Sequence, residues 1–194
     1  MPQAGGTVDS PTLSALAPDP VRDVRIPAIL LTHLRRAVRK AVGTLNATHV
    51  LHEAGHDSGP TLLGGVLESL HPDGPGAASM DAFFGAVTGH LRQEGWGTME
   101  LQRVHPGLAV LESSNWAEAD PDGSEQQPGC AFTCGLLAWL FSRVSPGRVA
   151  VLEVACRSRG DDACRFLFGA EEAVHDVYGL LLDGASLESA LERI

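Results

Sequence analysis

Apolar positions mark out most of the secondary structure before any chemistry is considered. Ile29, Leu30, Leu34, Val38 and Val42 recur at helical spacing, with Arg35, Arg36, Arg39 and Lys40 largely opposite. They predict an amphipathic helix that ends at Gly43. The β-branched stretch Thr48-His49-Val50-Leu51-His52, broken by Gly55 and Gly59-Pro60, predicts a strand and a turn. Leu62, Leu63, Val66, Leu67 and Leu70 return to helical spacing, and His71 to Gly76 reads as a loop. Ser79 is placed to cap a helix whose inner face is Phe83, Phe84, Val87 and Leu91, closed by Gly95. Strands follow at 98–104 and 108–112, joined by His105-Pro106-Gly107. Residues 117–129 are acidic and turn-rich, hence a loop.

Cys130 to Val144 is apolar almost all round, the signature of a helix buried on every side. Residues 149–156 and 164–168 read as strands around the turn 157–162. A last helix starts at Glu171-Glu172, ends at Gly184 and is followed by a further turn from Leu187. Helices alternating with hairpins imply an α+β fold with an antiparallel sheet and helices packed on it. Residues 1–22 hold four Pro, two Gly and few large apolar side chains. The expected organisation is thus a disordered tail over residues 1–24 and one domain over 25–194.

Composition narrows the function. The 194 residues carry 14 Lys+Arg against 24 Asp+Glu, a formal net charge of −10, which argues against direct binding of nucleic acid. No apolar run approaches the ~20 residues of a membrane span. The first 20 residues lack the basic start and apolar centre of a secretory signal, so a cytoplasmic location is expected, with thiols or metal ligands rather than disulfides.

Two constellations could carry chemistry. His52-Glu53-Ala54-Gly55-His56 matches the H-E-x-x-H pattern of zinc peptidases, which needs both His on one helix face. With a strand and a Gly-rich turn expected there, no catalytic role is assigned to it. The four cysteines are more informative: Cys130, Cys134, Cys156 and Cys164 lie within 35 residues, and the first 129 contain none. Cys130 and Cys134 would share a helix face, and a hairpin could bring Cys156 and Cys164 together. Glu153 is an unexpected carboxylate on an apolar strand. Spacing alone supports a metal site and a set of buried free thiols equally.

The segment GCAFTCGLLAWLFSRVSPGRVAVLEVACRSRGDDACRFLFG (Gly129–Gly169) resembles the vinyl-4-reductase domain. The features are a Cys five residues before a helix Gly, then E-x-x-C, then seven residues and a final Cys. LHEAGHDSG (Leu51–Gly59) is similar to an upstream segment of that family. The resemblance covers about residues 26–170. It implies the ligand-binding fold shared with nitric-oxide sensors and a Golgi-transport subunit. In the family's aromatic-responsive sensors zinc is held by three Cys and one Glu; carried over, these are Cys130, Glu153, Cys156 and Cys164, with Cys134 left over or standing in for Cys130. Such a Zn2+ site is closed and structural. Three thiolates and one carboxylate on Zn2+ sum to −2, which Arg157, Arg159 and Arg165 could offset. Because Glu153 and Cys156 are three apart, the strand must bulge near Val154–Ala155 for both to reach one ion.

The resemblance further implies a pocket for a small apolar or aromatic ligand, for which Trp116, Phe132, Leu136 and Trp139 are the candidate lining residues. Trp116, in a polar loop, is the least core-like of them. The functional expectation is a zinc-containing domain that binds or senses a small hydrophobic molecule and acts through an unidentified output partner, in a form compatible with a homodimer. No G-x-x-x-x-G-K-[ST] or G-x-G-x-x-G motif occurs, so turnover by this chain alone is not expected. The alternatives are an accessory protein presenting substrates in chlorophyll or other tetrapyrrole metabolism, and a structural docking protein.

Overall fold

The computed structural model describes residues 7–9, 24–70 and 77–194. Its elements are β1 (Thr7–Asp9), α1 (Ile29–Val42), α2 (Thr44–Asp57), α3 (Gly59–Leu70), β2 (Ala77–Ser79), α4 (Met80–Gln93), β3 (Glu100–His105) and β4 (Leu108–Ser113). After them come α5 (Ala131–Val144), β5 (Val149–Ala155), β6 (Cys164–Ala170), α6 (Glu171–Leu182) and α7 (Leu187–Leu191). The expected α+β class holds. Two hairpins interleave into one antiparallel sheet in the order β3-β4-β6-β5, with α5 carried across between them. β1 pairs antiparallel with β2 inside the stretch expected to be an unstructured tail, where the β-branched Thr7 and Val8 favour a strand. The expected loop at 71–76 lies outside the described residues.

Alternation along the central strands splits the core in two. Leu111 on β4 and Phe166 and Phe168 on β6 face the large cluster built with α3, α4 and α5. Leu108, Val110 and Leu167 face the opposite way, against Val174, Val177 and Ala190 of α6 and α7. A period of two with both faces covered gives three layers, and α5 is the most enclosed helix, as its uniform apolar sequence requires.

Two expectations are corrected. Residues 48–52 are not a strand but the middle of α2. The reason is tertiary: α2 lies directly on α5, backbone against backbone. A Cβ on Gly55 would sit 1.9 Å from the Phe132 carbonyl oxygen, and one on Gly135 1.9 Å from that of His52. Burial of that crossing outweighs the β preference of Thr48 and Val50. The helix α1 has the expected ends but is turned over. Thr32 and Arg35 are its buried residues, whereas Ile29, Leu30, Leu34 and Val42 are exposed. Its arginines are drawn inward by the acidic loop 117–125.

Candidate functional site

The first turn of α5 meets the open end of the β5–β6 hairpin at a buried cluster of Cys130, Glu153, Cys156 and Cys164. Their donor atoms all lie within 4.8 Å of one another. Cys130 caps α5, Glu153 leaves β5, Cys156 ends it, and Cys164 opens β6. The anticipated bulge is present: Glu153 pairs with Phe166 and Ala155 with Arg165, so Val154 is the extra residue that turns Glu153 and Cys156 toward one point. Cys134 is buried one turn along α5 and takes no part in the cluster.

The donor set fits a metal ion. Cys130 Sγ is 3.8 Å from Cys156 Sγ and 3.9 Å from Cys164 Sγ. A tetrahedral centre with metal–sulfur bonds near ~2.3 Å holds its sulfurs about 3.8 Å apart, whereas a disulfide needs about 2.05 Å. Glu153 Oε2 accepts from the Cys130 backbone N–H at 2.8 Å, while its buried Oε1 has no hydrogen-bond partner. An orphaned carboxylate oxygen among three thiols is costly unless a cation completes it. Burial pushes the Cys130 thiol and the Glu153 carboxyl well up, whereas the Cys130 and Cys164 thiols, donating to Cys156, hold that one low. The arginines expected to offset the charge are engaged elsewhere: Arg159 pairs with Asp161 and Arg165 with Glu112. Backbone N–H groups take over that task, Gly129 N–H pointing at Cys156 Sγ at 3.3 Å.

A second buried carboxylate, Glu118, shapes the same helix end. Because the N-cap of α5 is a cysteine, its side chain caps no N–H. Glu118 reaches in from the loop and accepts from Phe132 N–H at 3.0 Å, Thr133 N–H at 2.9 Å and the Thr133 hydroxyl. Burial nevertheless lifts its pKa to about 7, against the pull of these donors and of Arg35. Arg35, itself buried, donates to the Glu118 carbonyl at 2.6 Å and the Gly129 carbonyl at 3.1 Å, and its Nη2 lies 3.0 Å from Glu125. Arg36 binds Asp120 and Asp122, and Arg39 binds Glu125. Across the loop, the buried Ser158 hydroxyl, two residues after Cys156, accepts from Asp120 N–H at 2.7 Å. The loop 117–129 is thereby clamped between α1 and the Cys156 turn. Sequence reading did not single out Glu118 or Arg35; the signals were an acidic loop and a basic helix far apart in the chain.

Of the candidate ligand-pocket residues, Phe132, Leu136 and Trp139 are i, i+4 and i+7 on α5, packed under α2 and the start of α3, where Trp139 lies against Gly59. Trp116 is not a loop edge. It is 2% exposed, and its Nε1–H donates to Thr133 Oγ1 at 2.8 Å. Trp96, which sequence reading did not select, joins them. Its ring is parallel to Phe132 with centroids 5.8 Å apart and lies 5.7 Å from Trp116. The glycines on either side of it, Gly95 and Gly97, have φ of 84° and 125°, which bend the chain sharply around this one ring.

The H-E-x-x-H segment is helical after all, so His52 and His56 do stand one turn apart on α2. Its glycine serves the α2–α5 crossing, Glu53 pairs with His49, and burial lowers the pKa of His52. Among the described residues no group of three or more metal-capable side chains includes either histidine. Among them, too, no helix is long and apolar enough to cross a membrane.

Comparison with known proteins agrees with this geometry. Residues 114–170 match the vinyl-4-reductase domain family. An uncharacterized protein of Methanocaldococcus jannaschii is 32% identical over 76 residues, 39% of this chain and 40% of that protein, so the match spans about two fifths of the curated relative's length. Among solved structures, the phenol-responsive sensory domain of the transcription activator PoxR, bound to phenol, superposes with a TM-score of 0.63 at 18% identity. That match covers 87% of this chain and 84% of the PoxR domain. A vinyl-4-reductase family protein from Methanocaldococcus jannaschii gives a TM-score of 0.47 at 18% identity over 82% of this chain and 88% of its own. The matched segment contains the whole four-donor cluster, Glu118 and α5, and the fold is that of the PoxR sensory domain: this chain belongs to the vinyl-4-reductase domain family.

Proposed function

We propose that this chain is a zinc-bearing sensing domain that binds a small apolar or aromatic molecule without turning it over and signals through a partner. The carrying observation is the four-donor cluster at sulfur separations of a tetrahedral thiolate site, set at the same end of α5 as the Trp96, Trp116 and Phe132 rings. Cys130, Glu153, Cys156 and Cys164 would hold Zn2+ and leave no open coordination position, so the ion pins α5 to the β5–β6 hairpin rather than activating water. Phe132, Leu136, Trp139 and Trp116 would line the ligand's seat, with Thr133 and Glu118 the polar groups nearest to orient it. The likeness to a phenol-responsive domain supports an aromatic ligand class.

The test combines metal analysis with a thermal-shift screen of phenol, toluene, palmitate and a chlorophyll precursor, backed by native mass spectrometry. One zinc per chain is expected, together with a raised melting temperature for an aromatic compound. A ligand at 100 times its dissociation constant contributes about 2.7 kcal/mol. A co-purified tetrapyrrole would move the assignment to substrate presentation. Zinc without any ligand-induced shift or co-purified molecule would move it to docking.

A further inference from the structure

The helix α1 is amphipathic in the reverse sense for a helix packed on its own domain. Its polar side faces inward, where Arg35, Arg36 and Arg39 meet Asp120, Asp122 and Glu125, and its apolar side faces out. Of the ten large apolar side chains exposed among the described residues, eight lie between Val24 and Val50, with Leu34 at 59% and Leu45 at 83% exposure. The exposed area of these eight residues is on the order of 700 Å², above the ~300–600 Å² of a typical monomer's largest patch and close to the ~800 Å² each partner buries in a standard interface.

We propose that this face is an interface with a second copy of the chain, formed by antiparallel pairing of two α1 helices across a two-fold axis. Three observations select that occupant. First, Leu30, Leu34, Ala37 and Ala41 follow the 4-3-4 spacing of a two-helix seam, and all four are exposed. Second, the seam is self-complementary. In an antiparallel pair Leu30 and Leu34 of one helix lie opposite Ala41 and Ala37 of the other, large against small, as an isologous contact requires. Third, the charge suits a copy of itself. The segment 29–42 has no acidic residue, yet the chain's own acids neutralise three of its four cations, so two such helices meet without a wall of like charge. An anionic lipid surface, by contrast, would find only Lys40 of α1 unpaired on a chain of net charge −10. The interface would report directly on the candidate metal centre, because Arg35 on the inner side of α1 holds the carbonyl of Gly129, next to Cys130.

Sedimentation equilibrium on the full chain between about 5 and 100 μM tests this without reference to any ligand. A mass of two chains is expected. Leu34→Glu should raise the dimer dissociation constant at least ~100-fold by burying an unpaired charge, with circular dichroism and metal content unchanged. Ala37→Glu keeps a good helix former and should do the same, which guards against a folding defect in the first variant. Mixed under oxidising conditions, Leu34→Cys and Ala37→Cys proteins should form a disulfide-linked heterodimer. A monomer at 100 μM would overturn the proposal, whether residues 1–23 or another molecule then proved to cover the face. So would dimers that survive both glutamates, or cross-linking only between identical variants.

Discussion

Replacing Gly55 by alanine poses a sign test of the α2–α5 crossing. By helix propensity alone the change should help, since Ala is favoured over Gly in a helix interior by about 1 kcal/mol. The crossing forbids it. The new methyl would lie 1.9 Å from the Phe132 carbonyl oxygen, 2.8 Å from its carbon and 3.0 Å from Leu136 N, all backbone atoms that cannot swing aside. Ordinary contact begins near 3.4 Å, so α2 must retreat from α5 by about 1.5 Å over at least one turn. Overpacking of this kind costs typically ~1–3 kcal/mol, and a rigid backbone neighbour belongs at the upper end. Net of propensity, the variant should lose about 2 kcal/mol. Because Phe132 is two residues from Cys130, the shift should also loosen the cluster. Urea unfolding read by circular dichroism measures the loss as a lower midpoint at constant slope. Gly135→Ala strikes the same crossing from the other side, and the double variant should cost less than the sum because the helices have already parted. A Gly55→Ala protein as stable as the parent, or more so, would refute the close crossing and with it the reason why residues 48–52 are helical.

Cys156→Ser should bring bound metal from one per chain toward none and lower the melting temperature, since structural-site binding energy is folding energy; elemental analysis of protein purified without chelator measures it. His52→Ala with His56→Ala should leave that metal content unchanged, and a loss would place the ion on α2. Arg35→Met should cost about 3 kcal/mol by urea unfolding, because it strips the buried partner from Asp120 and Glu125 while Arg36 and Arg39 still reach them. Glu118 sets a pH dependence. Its pKa rises from 4.5 to about 7 on folding, so the native state binds that proton more tightly than the unfolded chain. Its contribution is greatest below pH 4.5 and is lost as pH rises through 7, by about 3 kcal/mol in all. Urea midpoints at pH 5 and pH 8 should therefore fall farther in the parent than in Glu118→Gln; a parent that gains on the variant over that interval would show that the α5 N-terminus holds the carboxylate charged.

The positions of helices and strands were largely legible because they depend on local periodicity and punctuation. Gly43 and Gly95 end helices with φ of 80° and 84°, Ser79 caps α4 through Ala82 N–H, and the strands around Gly107 and the 157–162 turn sit where alternation put them. The four-donor cluster was legible for the same reason: Cys130, Glu153, Cys156 and Cys164 lie at element ends whose register follows from the chain, down to the bulge at Val154. Contacts between distant segments were not. Glu118 and Arg35 are 83 residues apart, and nothing local to either marks the bond that joins them.

What the sequence determined by itself, then, is the α+β class, the buried character of α5 and the convergence of three cysteines and a glutamate, all consequences of spacing along one chain. The tertiary structure alone decided three things. It made residues 48–52 a helix, because Gly55 and Gly135 admit a backbone contact that local β preference cannot anticipate. It turned α1 over, because ion pairs with an acidic loop about 85 residues away outweigh the burial of its own apolar stripe. And it buried Trp116, whose polar neighbours in sequence suggested the opposite, because its indole N–H finds Thr133 inside the core. In each case the deciding energy comes from a partner remote in the chain, and periodicity carries no record of such partners.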